Sequence, residues 1–527
     1  MRKPTNSLLG LRKSSLTAHT FITGSTGAGK SNTIYTLLDR LCLGGKSDTH
    51  FLVIEPAKGE YKDTLGGHKG VSVYGTNPKK TQLLRLNPFA FPEDIHVLEH
   101  IDRLIEIFNA CWPMYAAMPA VLKSAVENAY SNVGWSLNAS SNPSGRVPTF
   151  RDVMDALPQV IRTKGFSKDT QGDYEGALLT RVESLTNGIN GQVLCSCDPV
   201  QDEALFDENV IVDLSRVGSM ETKALLMGIL VLKLQEHRMA QRSAGKNKPN
   251  SGLAHITVLE EAHNLLRRTS SEQSQESANL QGKSVEMLTN AIAELRSFGE
   301  GFVIADQSPG LLDMAVIRNT NTKIIMRLPD EGDRQLVGRA AGLNDDQIVE
   351  LSKLETGVAA IYQNEWLEPV LCKVDRFGDE KVKPFDYKKQ PPDAGSFYPT
   401  MFSLLCGQTD YCELTKEQVD AFYRWVERIS IREELKETLC TAVEDKKQVP
   451  NPDATLYVLV SGDTLFKATS NETPTDTIAQ RLMERYQLDN LELVRLMSEH
   501  LVNMQIRLGR MEQTASSIEK MPGERWR

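Results

Sequence analysis

The stretch Gly24-Ser25-Thr26-Gly27-Ala28-Gly29-Lys30-Ser31 carries the spacing G-x-x-x-x-G-K-[ST]. Glycines at those positions let a backbone curl until several N–H groups face one anion, and a helix starting at the end of the curl adds its positive dipole end. Lys30 has the reach to contact the β and γ phosphates of a nucleoside triphosphate such as ATP. The Ser31 hydroxyl suits Mg²⁺, and Asn32 continues the same turn. An apolar run precedes the loop and a helical pattern follows it in "HTFITGSTGAGKSNTIYTLLDR".

A triphosphate grip needs acidic groups at a second strand end, and "HITVLEEAH" (255–263) supplies them. The apolar residues place Glu260 and Glu261 at the carboxyl edge of a sheet, where ligands of open α/β folds bind. Glu260 is assigned to support the Mg²⁺ shell and Glu261 to polarise the attacking water, with the exchanged assignment left open. A third segment, "ELRSFGEGFVIADQSP", ends its strand in Asp306 and Gln307. Gln307 is suited to sensing the γ phosphate or positioning water; a surface-loop role is the alternative. Arg296 closes the helix before that strand and, taken alone, reads as one more solvated arginine.

These residues need strands to carry them. Short apolar runs at 19–23, 50–55, 209–217, 255–259, 301–305, 322–328, 357–363 and 368–374 alternate with helical patterns, which predicts a mainly parallel, three-layer α/β domain. The stretch 85–199 has helical spacing throughout, including Ile95, Leu98, Ile101, Leu104, Ile105 and Phe108, and reads as a helical insertion. The expected organisation is a lead-in at 1–18, a core at 19–84 and 200–376, a charged Pro-rich linker at 377–395 and a mostly helical region at 396–527. Within the last region "DATLYVLVSGDTLF" reads as a small strand pair. The polar stretch 267–284 is expected to be mobile.

The chain has 527 residues, 24% charged and 40% hydrophobic, with net charge −9. That balance argues against a surface that simply coats DNA, although an acidic shell can enclose a basic channel. With no apolar run long enough to span a bilayer and no secretory signal, a cytoplasmic chain without a membrane segment is expected. The eight cysteines are scattered, and free thiols are expected.

The loop at 24–31, "IEPAKGEYK", "VLEEAHNLL", "ELRSFGEGFVIADQSP" and "NTNTKIIMRLPDEGDRQLVG", in that order, resemble a bacterial-type HerA-like ATPase, of the same broad group as FtsK and the VirB4-type conjugation motors. The resemblance spans about residues 8–376 and implies a P-loop (RecA-like) core. It further implies a ring, usually a hexamer, with ATP between neighbours, and double-stranded DNA in a central pore. It turns Arg296 into a residue reaching a neighbour's site, with Arg327 and Arg339 as weaker candidates, and makes Glu60 a supporting residue. Such proteins are often paired with a nuclease or a Sir2-type NAD-consuming effector in anti-phage defence, so an ATP-regulated scaffold that activates an effector stands beside a DNA translocase or helicase. A membrane-anchored secretion motor is a third reading. Relatives carry a small β-barrel before the loop, where only "NSLLGLRKSSLTAHTF" stands here.

Two patterns promise less. His96 to His100 fits H-x-x-E-H, a zinc-protease spacing, but has no evident third ligand and reads as an amphipathic helix. "SAGKNKPNSG" could touch phosphates through Lys246 and Lys248 or be a solvated loop.

Overall fold

The computed structural model describes residues 7–44, 48–142, 146–196, 199–245, 252–268, 275–378, 384–386, 397–428, 433–460 and, apart from 481, 484, 485, 487 and 489, 478–504. Strand β1 (Thr20–Thr23) leads through the glycine loop into helix α1 (Lys30–Leu38). β2 (His50–Glu55), α2 (Glu60–Leu65), β3 (Val71–Gly75) and β4 (Gln82–Leu83) follow. Helices α3 (Val97–Cys111), α4 (Met118–Asn132), α5 (Phe150–Thr163), α6 (Lys168–Tyr174), α7 (Thr180–Thr186), α8 (Gly188–Leu194) and α9 (Asp202–Phe206) come next. The chain returns to the sheet with β5 (Asn209–Asp213), α10 (Met220–Ser243), β6 (His255–Leu259), α11 (Gln275–Glu294), β7 (Glu300–Asp306), α12 (Met314–Arg318) and β8 (Thr322–Ile325). Then come α13 (Glu331–Ala340), α14 (Asp345–Glu350), β9 (Val358–Gln363) and β10 (Val370–Lys373).

The strands form one ten-stranded sheet in the order β10-β9-β8-β1-β7-β6-β2-β5-β3-β4. It is parallel except where β9 runs against β8 and β10. Side chains alternate strictly between its faces, as strand geometry requires. Phe21, Leu52, Ile54, Val212, Phe302 and Ile304 join one buried cluster. Ile22, Phe51, Val53, Ile211, Val303 and Ile324 join another with Ile34 and Leu38 of α1. Helices therefore cover both faces, which gives the expected three layers.

Helices α3–α8 fill the stretch read as an insertion, and Phe108, Val121, Leu157 and Val182 share the first sheet-face cluster rather than forming a core of their own. α11 starts at Gln275, inside the stretch expected to be mobile. It is fastened to α3 by polar bonds, Gln281 to the Ala110 carbonyl at 3.0 Å and Ser284 to Glu106 at 2.6 Å, which a count of apolar residues does not register. Residues 269–274, and Lys246 and Lys248 of the candidate phosphate loop, lie outside the described residues.

The C-terminal region has a separate cluster built around Phe402, Phe422, Trp425, Leu439 and Leu482. Its helices are α15 (Tyr398–Leu405), α16 (Lys416–Arg428), α17 (Glu433–Asp445) and α18 (Pro452–Val460), with 491–504 also helical. α18 overturns the first strand of the pair expected across 453–466; residues 461–466 lie outside the described residues. Proline occupies its first position, where a helix needs no N–H, and the cap comes from Asn451, whose side chain accepts from Ala454 N–H at 3.2 Å. Leu456, Leu459 and Val460 then bury along one helical face, and packing overrides the β-propensity of Val and Tyr. Among the described residues no helix is long and apolar enough to cross a membrane.

Candidate active site

The glycine loop leaves the carboxyl end of β1 between β7 and β8, both parallel to it. Gly27 and Gly29 adopt φ of 75° and 110°, conformations open to glycine. A Cβ on Gly24 would meet the Met326 Cβ at 2.8 Å, so this turn closes only without a side chain. Remote backbone props the curl. Ser25 N–H donates to the Arg327 carbonyl at 2.8 Å, Gly357 N–H to the Ala28 carbonyl at 2.8 Å, and the Thr356 hydroxyl to the Gly27 carbonyl at 3.1 Å. The first N–H groups of α1, on Lys30, Ser31 and Asn32, have no partner within the helix, because a helix leaves its first turn of donors free. The loop thus offers an anion cradle.

Strand order brings the acidic edge to this cradle. β6 pairs with β7 up to Leu259 beside Ile304, and β1 pairs with β7 up to Thr23 beside Asp306. Glu260 and Glu261 follow directly. Lys30 Nζ lies 3.6 Å from Glu260 Oε2 and 3.5 Å from Glu261 Oε1, with the lysine side chain only 8% exposed. Gln307 Nε2 donates to Glu261 Oε1 at 2.5 Å, and the Thr26 hydroxyl donates to Gln307 Oε1 at 2.8 Å. A continuous polar chain therefore runs from loop to acid to the end of β7. Glu261 sits at φ 45°, ψ 52°, a left-handed conformation that costs a non-glycine residue of order 1–2 kcal/mol.

Several partners escaped the sequence reading. The Tyr61 hydroxyl, buried at the start of α2, donates to Glu260 Oε1 at 2.6 Å and fixes that carboxylate. Glu55, at the end of β2, accepts the N–H groups of Glu60 at 2.8 Å and Tyr61 at 3.1 Å. Burial first, and then the neighbouring Asp213 and Glu260, push its carboxyl up to about 8. Asp306 accepts both the backbone N–H and the ring Nδ1 of His263, at 2.8 and 2.9 Å, and this bond raises the His263 pKa. "IEPAKGEYK" did hold Glu55 and Tyr61, but only the fold turns them toward Glu260. Glu60 itself spends its backbone N–H on Glu55, while its side chain is half-exposed.

Of the residues singled out in the sequence, Lys30, Glu260, Glu261, Gln307 and Thr26 converge. The side chain of Asn32 does not join them. Its amide donates to the Asp375 carbonyl at 2.9 Å and its carbonyl accepts from Phe377 N–H at 2.8 Å. Arg296 lies at the opposite edge, just before β7 starts; the seven residues of that strand carry it about 20 Å from Gln307. It cannot serve its own site. Arg327 borders the loop through its carbonyl, and exposed Arg339 is paired with Asp345. The H-x-x-E-H pattern has an ordinary structural account. His96 caps α3, accepting from Leu98 N–H at 3.2 Å, while buried His100 stacks on Phe91 and meets the Glu236 carboxylate at 2.9 Å. Among the described residues Cys42, Cys111, Cys372, Cys406 and Cys412 are free thiols, as expected; Cys197 lies outside them.

Residues 3–326 match the family model described as "Helicase HerA, central domain". The chain belongs to the HerA family. A DNA double-strand break repair helicase HerA from Sulfolobus acidocaldarius is 25% identical over 372 residues, 70% of this chain and 66% of that relative. The Sulfurisphaera tokodaii protein of the same name is 23% identical over 370 residues, again 70% of this chain and 66% of its own. This HerA-family chain therefore aligns to somewhat under two thirds of their length. The structure of VirB4 from Thermoanaerobacter pseudethanolicus superposes with a TM-score of 0.50 at 16% identity, over 68% of this chain and 89% of that one, a likeness of fold.

Proposed function

We propose that this chain is a Mg²⁺-dependent, ring-forming ATPase of the HerA family, hexameric, that hydrolyses ATP to translocate along or unwind double-stranded DNA. The observation that carries it is Lys30, buried between Glu260 and Glu261 at the mouth of the glycine loop, with Gln307 bridging Glu261 to Thr26. The loop N–H groups and Lys30 bind the phosphates. Glu261 takes the proton of the attacking water, and Gln307 orients that water or reads the γ phosphate. The donor set fits Mg²⁺: a serine hydroxyl with no hydrogen-bond partner among the described residues, and a carboxylate already oriented by Tyr61. Ser31 and Glu260 would hold the ion, which supplies charge neutralisation on the phosphates.

Arg296 is assigned to the neighbouring subunit's site, where a trans arginine offsets charge on the transferring group. Its place on the sheet edge away from its own loop supports this role. DNA would be held through its backbone, so binding should weaken steeply with salt. The proposed setting is the cytoplasm, in anti-phage defence with a nuclease or Sir2-type effector. A second reading, an ATP-regulated scaffold for that effector, draws support from the separately cored C-terminal region, which can bear a partner apart from the motor core.

Lys30→Ala should abolish ATP hydrolysis, while DNA should stimulate the parent. A Lys30→Ala protein that hydrolyses ATP like the parent overturns the proposal. An active parent indifferent to DNA at low salt removes the translocase and leaves the scaffold.

A further inference from the structure

The phosphate chemistry leaves one adjoining concavity unused. After β10 the chain turns back over α1 and is clipped there. Asn32 holds Asp375 and Phe377 from both ends of its amide, Arg40 pairs with Asp375 at 2.7 Å, and Val374 N–H donates to the Gly357 carbonyl at 2.7 Å. The Phe377 ring stands edge-on to Tyr35, centroids 6.0 Å apart. Arg376 and Phe377 of this strap, Asn32 and Tyr35 of α1, and Glu60 and Asp63 of α2 line a cleft of about 320 Å³. Small-molecule sites run from roughly 300 to 1,000 Å³, so this one suits a single ring system.

Its position relative to the loop gives it a ligand. Lys30, Glu261 and Gln307 mark the γ-phosphate end of the site. The α phosphate then falls at the first turn of α1, and the nucleoside must leave beside Asn32. A flat aromatic ring and a guanidinium suit stacking on a planar heterocycle. Two carboxylates suit an exocyclic amino group, which donates, and repel a carbonyl at the same place.

We propose that the cleft between the 374–377 strap, α1 and α2 is the nucleobase subsite. Phe377 and Arg376 stack on the base, and Glu60 with Asp63 selects the 6-amino group of adenine. This rests on the ATP reading above. It makes the strap part of nucleotide recognition, so an occupied site grips the segment that leads toward the C-terminal region.

Dissociation constants for ATP, inosine triphosphate and inorganic tripolyphosphate, measured by calorimetry on full-length protein, separate the two claims. Inosine triphosphate carries a carbonyl where ATP carries the amine, and tripolyphosphate has no base. The parent should prefer ATP over inosine triphosphate by about tenfold, the worth of one charge-assisted hydrogen bond. Glu60→Gln with Asp63→Asn should shrink that preference to about twofold. Arg376→Ala and Phe377→Ala should each weaken both nucleotides by about tenfold and leave tripolyphosphate unchanged. Cleft variants that bind ATP like the parent overturn the subsite, as do variants that weaken tripolyphosphate equally. A parent that binds none of the three ligands overturns the ATP reading itself.

Discussion

Position 261 joins a chemical demand to a backbone one, and substitutions there separate them. Glu261→Gln keeps the shape of the side chain but cannot take a proton. A positioned general base contributes about 10²–10⁴ in rate, so kcat should fall by that factor. Nucleotide binding should persist, because Lys30 keeps Glu260 as a partner at 3.6 Å and loses a competing negative charge. Glu261→Ala and Glu261→Gly both delete the carboxylate and its bond to Gln307, so the difference between them isolates the backbone. At φ 45°, ψ 52° an L-residue is strained by about 1–2 kcal/mol, and glycine is not. Glycine should therefore be the more stable of the two by about 1 kcal/mol, whereas at ordinary helical or extended positions it is less stable than alanine by about 0.5–1 kcal/mol. Single-turnover hydrolysis, nucleotide binding and equilibrium urea unfolding read the three effects. A Gln variant hydrolysing within tenfold of the parent would refute the base assignment. An Ala variant as stable as the Gly variant would refute the strain.

Three further outcomes follow from the same geometry. Glu55 keeps its proton in the folded chain up to about pH 8 and loses it near the ordinary carboxylate value when unfolded. Its contribution is thus full at acid pH and declines as pH rises between those values, by about 1.4 kcal/mol per pH unit at most. Glu55→Gln should lower stability at acid pH, since its amide can accept only one of the two backbone donors, yet flatten the decline between about pH 5 and 8 seen in urea midpoints, so that the parent loses its advantage at alkaline pH; an unchanged slope rules out Glu55 as its source. The raised pKa of His263 makes its bond to Asp306 stabilising below the ordinary histidine value, with loss as pH climbs through the folded one. Asp306→Asn should remove that dependence, and a titration of His263 by NMR should show its pKa falling; no change contradicts the pairing. Arg296→Ala should leave ATP affinity and assembly intact but cut hydrolysis by about 10³ or more, and mixing it with Lys30→Ala subunits should restore part of the activity, because the Arg296 of a Lys30→Ala subunit completes the intact loop of an Arg296→Ala neighbour. No complementation in mixed rings argues against a trans role.

What a short stretch of chain can do within itself was legible before any folding was considered. The glycine loop is a local object, an apolar strand, a curl that needs Gly27 and Gly29 at positive φ, and a helix start, so its residues name it. "HITVLEE" likewise declares a strand ending in two acids. The alternation of Phe51 to Ile54 across two cores follows from the same local period. The first strand of the pair assigned across 453–466 failed because β-propensity reports fit to a half-buried sheet surface, and here the partners are helices.

Other parts came only from the order in which distant strands lie. Tyr61 is bonded to Glu260 because β2 lies beside β6, and Gln307 reaches both Thr26 and Glu261 because β7 lies between β1 and β6. The props at Arg327, Thr356 and Gly357, and the strap on Asn32, join segments about three hundred residues apart. Spacing and periodicity encode the backbone's local choices, whereas such pairings depend on which faces must be buried together. The sequence alone therefore names the phosphate grip and its acids, while the tertiary packing decides what holds them, which edge Arg296 occupies and where the base would rest.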